Sequence, residues 1–485
     1  MKTENRKVRL GLISTRRGSF SLELAEKAHR QAVAAMQAAG VEVVAPADGQ
    51  TASGCVENRR EAEVCADLFR KEEVDGIVIG AMNFGDEQAA AWTVRKADLN
   101  VPILIFAAQE EVPLRVGEHR RDSFCGLLSI AEALRQIGVE YTVARRPVCC
   151  PADDSFKEDV DWFARICRVV KGVRNARYGQ IGARPDAFWT CRFDEKQLQR
   201  LGPTTVTLDL SEVFAGAKAM DENDPDLLEL ITGINEYADT SLVSSEAVLR
   251  SARLELFLRR WKEENAIDGL AIQCWTSMQR NYGVCACTTM SRLANEGTPC
   301  ACEADIIGTL SLHACQLASD SPAALADWNN LHNEDDELVN LWHCGVFPKS
   351  FAREQPVLRE HAVLASLGIA PPENAEGIVH LVVKPGPVTL SRVTQDPSGL
   401  WKALVAEGTI EDNSAQTTGS YGWCRIKNLQ HLYRDVLLSH FPHHVAMSQA
   451  NVGNVLWEVF GNYLGFQIYN VSQETPGVYT PRLPF

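Results

Sequence analysis

The first 110 residues alternate short apolar runs with stretches of helical periodicity, and that alternation is the strongest constraint on how the chain can fold. Val8 to Ser14 is mostly apolar, and Leu22 to Ala39 is Ala-rich with helical spacing, closing at Gly40. Val41 to Val44, a helix around Arg59 to Lys71, the strand Gly76 to Gly80, a helix near Glu87 to Lys96 and the strand Val101 to Phe106 follow in turn. Repeated βαβ units of this length predict an open parallel sheet covered by helices. A Gly-x-Gly-x-x-Gly loop follows none of these strands, so the pattern does not indicate a dinucleotide.

A second α/β unit is expected from about Phe156. Its helical stretch Val160 to Gly172 leads to the strand-like Thr204 to Leu210, the helix Leu242 to Asn265 and the strand Leu270 to Trp275. From about Pro356 the texture changes to short β-like runs, Ile378 to Val383, Val388 to Val393 and Leu404 to Glu407, set between Gly and Pro turns. The expected fold class is therefore α/β: two open parallel-sheet α/β domains, 1–155 and 156–354, followed by a β-rich C-terminal domain, 355–485. The length of 485 residues suits about three domains. The final TPGVYTPRLPF reads as a Pro-rich surface tail.

Forty-eight Lys and Arg against 63 Asp and Glu leave a net charge of −15, which disfavours nucleic-acid phosphate and anionic membrane surfaces as partners. No run approaches the roughly 20 apolar residues of a membrane span. The opening MKTENRKVRLGLIST has too short an apolar run for a secretion signal, so a cytoplasmic protein is expected. Fifteen cysteines, an odd number, read as reduced thiols rather than a disulfide framework. Cys285-Ala-Cys287 and Cys300-Ala-Cys302 lack the usual knuckle spacing of a metal site and are expected as buried strand residues.

Chemistry-bearing residues concentrate at strand ends. In GTPCACEAD, Glu303 and Asp305 are two apart just before the helical pattern Ile306 to Leu317. A strand there would project both carboxylates on one face, where a hard divalent cation, or a base beside a metal ligand, could use them. The alternative is that Asp305 only caps the helix. His443 and His444 are adjacent, so in an extended segment at most one enters a given site, and histidine with carboxylates suits Mn²⁺ or a related metal. His343 in LWHCG and Asp327 in ALADWNN are further candidates. Lys384 and Arg392, in KPGPVTLSRV, could supply cations to an anionic or polyhydroxylated ligand, against the alternative of a solvated turn charge. Trp275 after Gln273, with Trp328 and Trp423, offers sugar-stacking faces or simply core.

In order and approximate spacing, QCW, GTPCACEAD, ADWNN, LWHCG, KPGPVTLSRV and FPHHVAMSQANVG resemble the L-fucose isomerase and L-arabinose isomerase superfamily, most closely its L-fucose-isomerase-like branch. The resemblance implies a metal-dependent aldose–ketose isomerase of the EC 5.3.1 type. It also implies a homo-oligomer, commonly a hexamer, whose active site is completed by a neighbouring subunit. By position, the family's aspartate ligand falls on Asp305 and its C-terminal histidine ligand on His444, while His343 lies where arabinose isomerases carry an additional histidine. Arg17, or Arg16, falls near an arginine that contacts substrate. The family's other catalytic glutamate should stand about eleven residues beyond Trp275, where this chain has Cys285-Ala286-Cys287 and no carboxylate. Glu303 is then the candidate for the missing base or ligand.

The implied chemistry moves a proton between C1 and C2 while Mn²⁺, or another divalent cation, stabilises the enediolate. Glu303 and Asp305 are the expected acid/base pair, and Glu303, Asp305 and His444 the ligands. Arg17, Gln273, Trp275, His343, Lys384 and Arg392 are expected to contact the sugar. That sugar is L-fucose-like, a pentose, or a sulfonated hexose such as sulfoquinovose. Two alternatives stand beside this reading: a non-catalytic sugar-binding or regulatory protein on the same fold, and a thiol enzyme using Cys285 or Cys287.

Overall fold

The alternation at the start of the chain becomes a five-stranded, wholly parallel sheet in the computed structural model, which describes residues 7–111, 113–412 and 417–470. Its strands are β1 (Arg9–Thr15), β2 (Glu42–Val44), β3 (Gly76–Ala81), β4 (Ile103–Ala108) and β5 (Thr142–Cys149), in the order β2-β1-β3-β4-β5. Every residue of β3 and β4 is buried. Strands covered by helices on both faces need no polar side, which is why these two read as unbroken apolar runs. The covering helices start where short polar side chains cap them: Ser21 accepts from the Leu24 N–H, Asn58 from Glu61 and Asp86 from Ala89.

A second parallel sheet has β6 (Arg177–Ile181), β7 (Thr204–Leu208), β8 (Gly269–Ile272) and β9 (Cys300–Ala301), in the order β7-β6-β8-β9. The rest of the chain builds a nine-stranded mixed sheet from β10 (Ala323–Leu331), β11 (Leu338–His343), β12 (Val357–Glu360), β13 (Glu376–Val382), β14 (Gly386–Gln395), β15 (Trp401–Ile410), β16 (Ser420–Arg425), β17 (His444–Ser448) and β18 (Gln467–Asn470). Its order is β12-β13-β16-β11-β10-β17-β14-β15-β18, and β15 also pairs with β16. That extra pairing closes β16, β11, β10, β17, β14 and β15 into a ring, which leaves these six strands no free edge between them. The described residues thus form two parallel-sheet α/β units and a large β-rich C-terminal sheet.

Several boundaries differ from expectation. The first two strands of the ring, β10 and β11, lie before residue 355; their partners β17 and β16 come from the far end of the chain, and long-range pairing leaves no local trace in sequence. The helix Asp154–Arg174 runs through the expected boundary at 155, and the chain divides instead into a unit of residues 1–171 with 462–464 and a unit of 172–461 with 465–485. Cys287 opens a helix, Cys287–Asn295, so only the Cys300 pair begins in a strand. The expected tail lies outside the described residues. No described helix is long and apolar enough to cross a membrane.

Candidate active site

One end of the closed ring lies beside the carboxyl ends of β8 and β9, where open α/β sheets place ligands. β9 stops at Ala301, and the chain turns at once through Glu303 and Ala304, both in the left-handed region at φ 56° and 54°. Two consecutive non-glycine residues there cost roughly 1 to 2 kcal/mol each. Such strain persists where the surroundings enforce it and marks functional sites. The turn carries the Glu303 carboxyl inward. Its Oε1 accepts from the Cys274 thiol at 3.3 Å, while its buried Oε2 has no hydrogen-bond partner among the described residues.

Two ring imidazoles, His444 and His343, face that oxygen, and Asp327 meets His444 beside it. Asp327 on β10 and His444 on β17 are direct partners across the antiparallel ladder, so both project to one face. His444 Nε2 stands 3.3 Å from Glu303 Oε2 and 3.7 Å from Asp327 Oδ1. His343, last residue of β11, places Nε2 3.8 Å from Glu303 Oε2. Asp327 Oδ1 and His343 Nε2, like Glu303 Oε2, are buried without a hydrogen-bond partner among the described residues. Leaving buried polar atoms without a hydrogen bond carries a cost that a cation held among them would remove. Glu303 with His343 and His444, and Asp327 with His443 and His444, each bring ligand atoms within 4.8 Å of one another, and carboxylate oxygens with imidazole nitrogens suit a divalent ion.

Asp305 does not join this group. Its Oδ1 accepts from the Gly308 N–H at 2.8 Å and Arg392 Nη2 at 3.1 Å; its Oδ2 accepts from Arg392 Nη1 at 2.6 Å and His444 Nδ1 at 2.8 Å. The strand that would have aimed it beside Glu303 has already ended, and Asp305 caps the helix Ile306–Ser319. The fit is close: a Cβ on Gly308 would lie 2.5 Å from Asp305 Oδ2 and 2.9 Å from Arg392 Nη1. Burial raises the Asp305 carboxyl, but Arg392 and then His444 outweigh it and hold the group well below the ordinary carboxylate range. An acid so firmly ionised, with both oxygens engaged, is suited to orienting His444 rather than carrying protons.

Electrostatics separate the remaining groups. Burial lowers His444, yet Asp305, Cys191 and Glu303 beside it prevail and raise it well above the usual imidazole value. Burial raises Asp327, partly offset by His343 and His444. His343 Nδ1 accepts the Cys344 N–H at 2.9 Å, an arrangement that leaves the ring proton of the neutral form on Nε2, facing Glu303.

The other expected residues divide. His443 precedes β17, and its Nε2 also reaches Asp327 Oδ1 at 3.9 Å, so both histidines of the pair meet one carboxylate. Alternation fails there because the strand begins only at His444. Gln273 accepts the Ala183 N–H at 2.8 Å and donates to the Trp275 carbonyl at 3.2 Å, tying two loops together. Trp275 is half-buried between Phe188 and His361. Arg392, expected to meet an anionic ligand, is buried on Asp305 instead. Lys384 is exposed and donates to the Ser350 carbonyl at 2.7 Å, which is the turn-charge alternative. Arg17 lies in the first unit, where it bonds the Gly85 carbonyl and Glu87. Burial raises the Cys285 thiol, and its bond to Cys344 together with burial raises Cys287, so neither is an exposed thiolate nucleophile.

Fold and site together define an α/β protein that closes a β-rich ring over a buried carboxylate and imidazole centre whose side chains could hold a cation. Residues 11–174 match the family model "Fucose/sulfoquinovose isomerase, N-terminal domain", and residues 341–471 match "L-fucose isomerase, C-terminal domain". Proteins named sulfoquinovose isomerase are similar along most of the chain. The one from Alkalicoccus urumqiensis is 27% identical over 388 residues, 79% of this chain and 84% of its own. Those from Priestia aryabhattai and Clostridium sp. (strain MSTE9) are 23% and 24% identical, over 83% and 66% of this chain and 86% and 69% of theirs. The chain belongs to the L-fucose-isomerase-like family of sugar isomerases.

Proposed function

We propose that the protein is a divalent-cation-dependent aldose–ketose isomerase whose cation, Mn²⁺ or a close relative, is held by Glu303, Asp327 and His444. The observation that carries this reading is the convergence of Glu303 Oε2 and Asp327 Oδ1, both buried without a hydrogen-bond partner among the described residues, on His444 Nε2. When bound, the cation supplies positive charge to the substrate oxygens on C1 and C2.

The chain's own groups move the protons. Glu303 accepts the C2 proton through Oε2 and returns it to C1. Asp327, whose carboxylate burial makes a stronger base, takes the O2 hydroxyl proton and delivers it to O1, so the exchange balances without a co-reactant. His343 donates from Nε2 to whichever substrate oxygen is more charged. Asp305, clamped by Arg392, fixes the His444 ring so that Nε2 faces Glu303 and Asp327. Trp275 offers a flat apolar face for the sugar carbons.

The substrate class is a sulfonated aldohexose such as sulfoquinovose, supported by the names of the relatives; L-fucose-like sugars and pentoses are the comparison set. Reduced thiols and family membership support a cytoplasmic homo-oligomer, with a hexamer as the family's common form. The test is a ketose-detection assay on a panel of neutral and sulfonated aldoses after exhaustive chelation, with and without added Mn²⁺. Turnover of sulfoquinovose only with metal is expected. Full turnover without metal ends the mechanism, and preference for a neutral aldose moves the substrate assignment.

A further inference from the structure

The two Cys-x-Cys segments have no part in the isomerase chemistry, yet the fold gathers them. Cys274 follows β8, Cys302 follows β9, Cys344 follows β11, and Cys287 opens the helix Cys287–Asn295. All four are buried. The Cys302 and Cys344 sulfurs and a His343 ring nitrogen lie within 4.8 Å of one another. Cys287 Sγ is 3.9 Å from Cys344 Sγ, and His343 Nδ1 is 3.2 Å from Cys344 Sγ. Cys274 closes the other side, within 4.8 Å of Cys302.

These separations match a coordination sphere. A tetrahedral centre with metal–sulfur bonds of about 2.3 Å sets its sulfurs about 3.8 Å apart. Nothing about strand packing requires thiols from four different segments to lie this close together. Soft sulfur donors also select a different ion from the oxygen-rich group beside them. We propose that Cys302 and Cys344, with Cys287 and Cys274, form a second cation site that takes a thiophilic d¹⁰ ion such as Zn²⁺ or Cd²⁺. His343 is the wall between the two sites, with Nδ1 towards the sulfurs and Nε2 towards Glu303. The proposal stands whether or not the protein isomerises a sugar.

The test titrates Cd²⁺ alone into reduced, chelator-stripped, full-length protein and follows the ultraviolet thiolate-to-cadmium charge-transfer band. One equivalent of Cd²⁺ should saturate the band. The C302S/C344S double variant should lose it, whereas C125S, at an exposed cysteine of the first unit, should keep it. H444A, which removes the oxygen-rich site, should keep it too. Cadmium bound without the band, a band that survives in C302S/C344S, or one lost in C125S or H444A overturns the assignment. If the double variant does not fold, X-ray absorption on the cadmium-loaded parent decides: two or more sulfur neighbours uphold the site, and oxygen and nitrogen neighbours alone overturn it.

Discussion

Asp327 and His444 are register partners across the β10–β17 ladder, and this pairing, rather than any motif, puts a carboxylate and an imidazole nitrogen 3.7 Å apart on one face. The first prediction follows from it. Asp327→Asn should strip Mn²⁺ and lower turnover by about 10²-fold or more, the scale of a lost general base. Asp305→Asn should keep every proposed ligand atom and weaken metal affinity by roughly 10 to 100-fold, as loss of a ligand's orienting partner does. Metal content and calorimetric titration of both variants separate the roles; the opposite ranking would return Asp305 to the metal.

His444→Ala should abolish stoichiometric metal binding. His443→Ala should leave it largely intact, since His443 reaches Asp327 but not Glu303. Equal losses in the two variants would mean that both rings bind the ion.

The buried Arg392–Asp305 pair gives a stability prediction. Arg392→Met leaves the Asp305 carboxylate with a single cationic neighbour and should destabilise the protein by about 3 to 5 kcal/mol in urea unfolding. A second change, Asp305→Leu, in that background should recover part of the loss. A cost under about 1 kcal/mol for the single variant would show that water reaches the pair.

Metal binding and protons should compete at His444. Its folded-state value lies above the ordinary value of about 6.5, so without metal its ion pairs stabilise the fold fully below that pH, and the contribution is lost as pH rises through the raised value. Mn²⁺ needs the Nε2 lone pair. Affinity should therefore climb with pH, by about tenfold per unit, until the ring is neutral. Calorimetry in buffers of different ionisation enthalpy should count a proton released on binding, and no release with a flat affinity would refute the linkage.

The parallel sheets were legible because strands covered on both faces are continuous apolar runs, as β3 and β4 show. Glu303 and His444 were legible as candidates from their strand-end settings. Asp305 takes the helix-capping alternative, because the rule that residues two apart share a face presupposes a strand, and β9 ends before Glu303. Asp327 could be singled out only as a polar residue in ADWNN: its role depends on register with a strand more than a hundred residues further along. The resemblance places a carboxylate near Cys285, where this chain has none, and Asp327 on β10 stands beside His444 instead.

The ring's closure also sets an order of assembly. A chain emerging from the ribosome presents Glu303 and Asp327 long before it presents β17, so until His444 arrives the carboxylates have neither their imidazole nor the strand that holds Asp327 in place. The centre is thus a late product of folding. Ion selection belongs to the finished protein, and a truncated or stalled chain ending before His444 would offer passing cations two loose acids and a cluster of thiols, with no means of choosing among them.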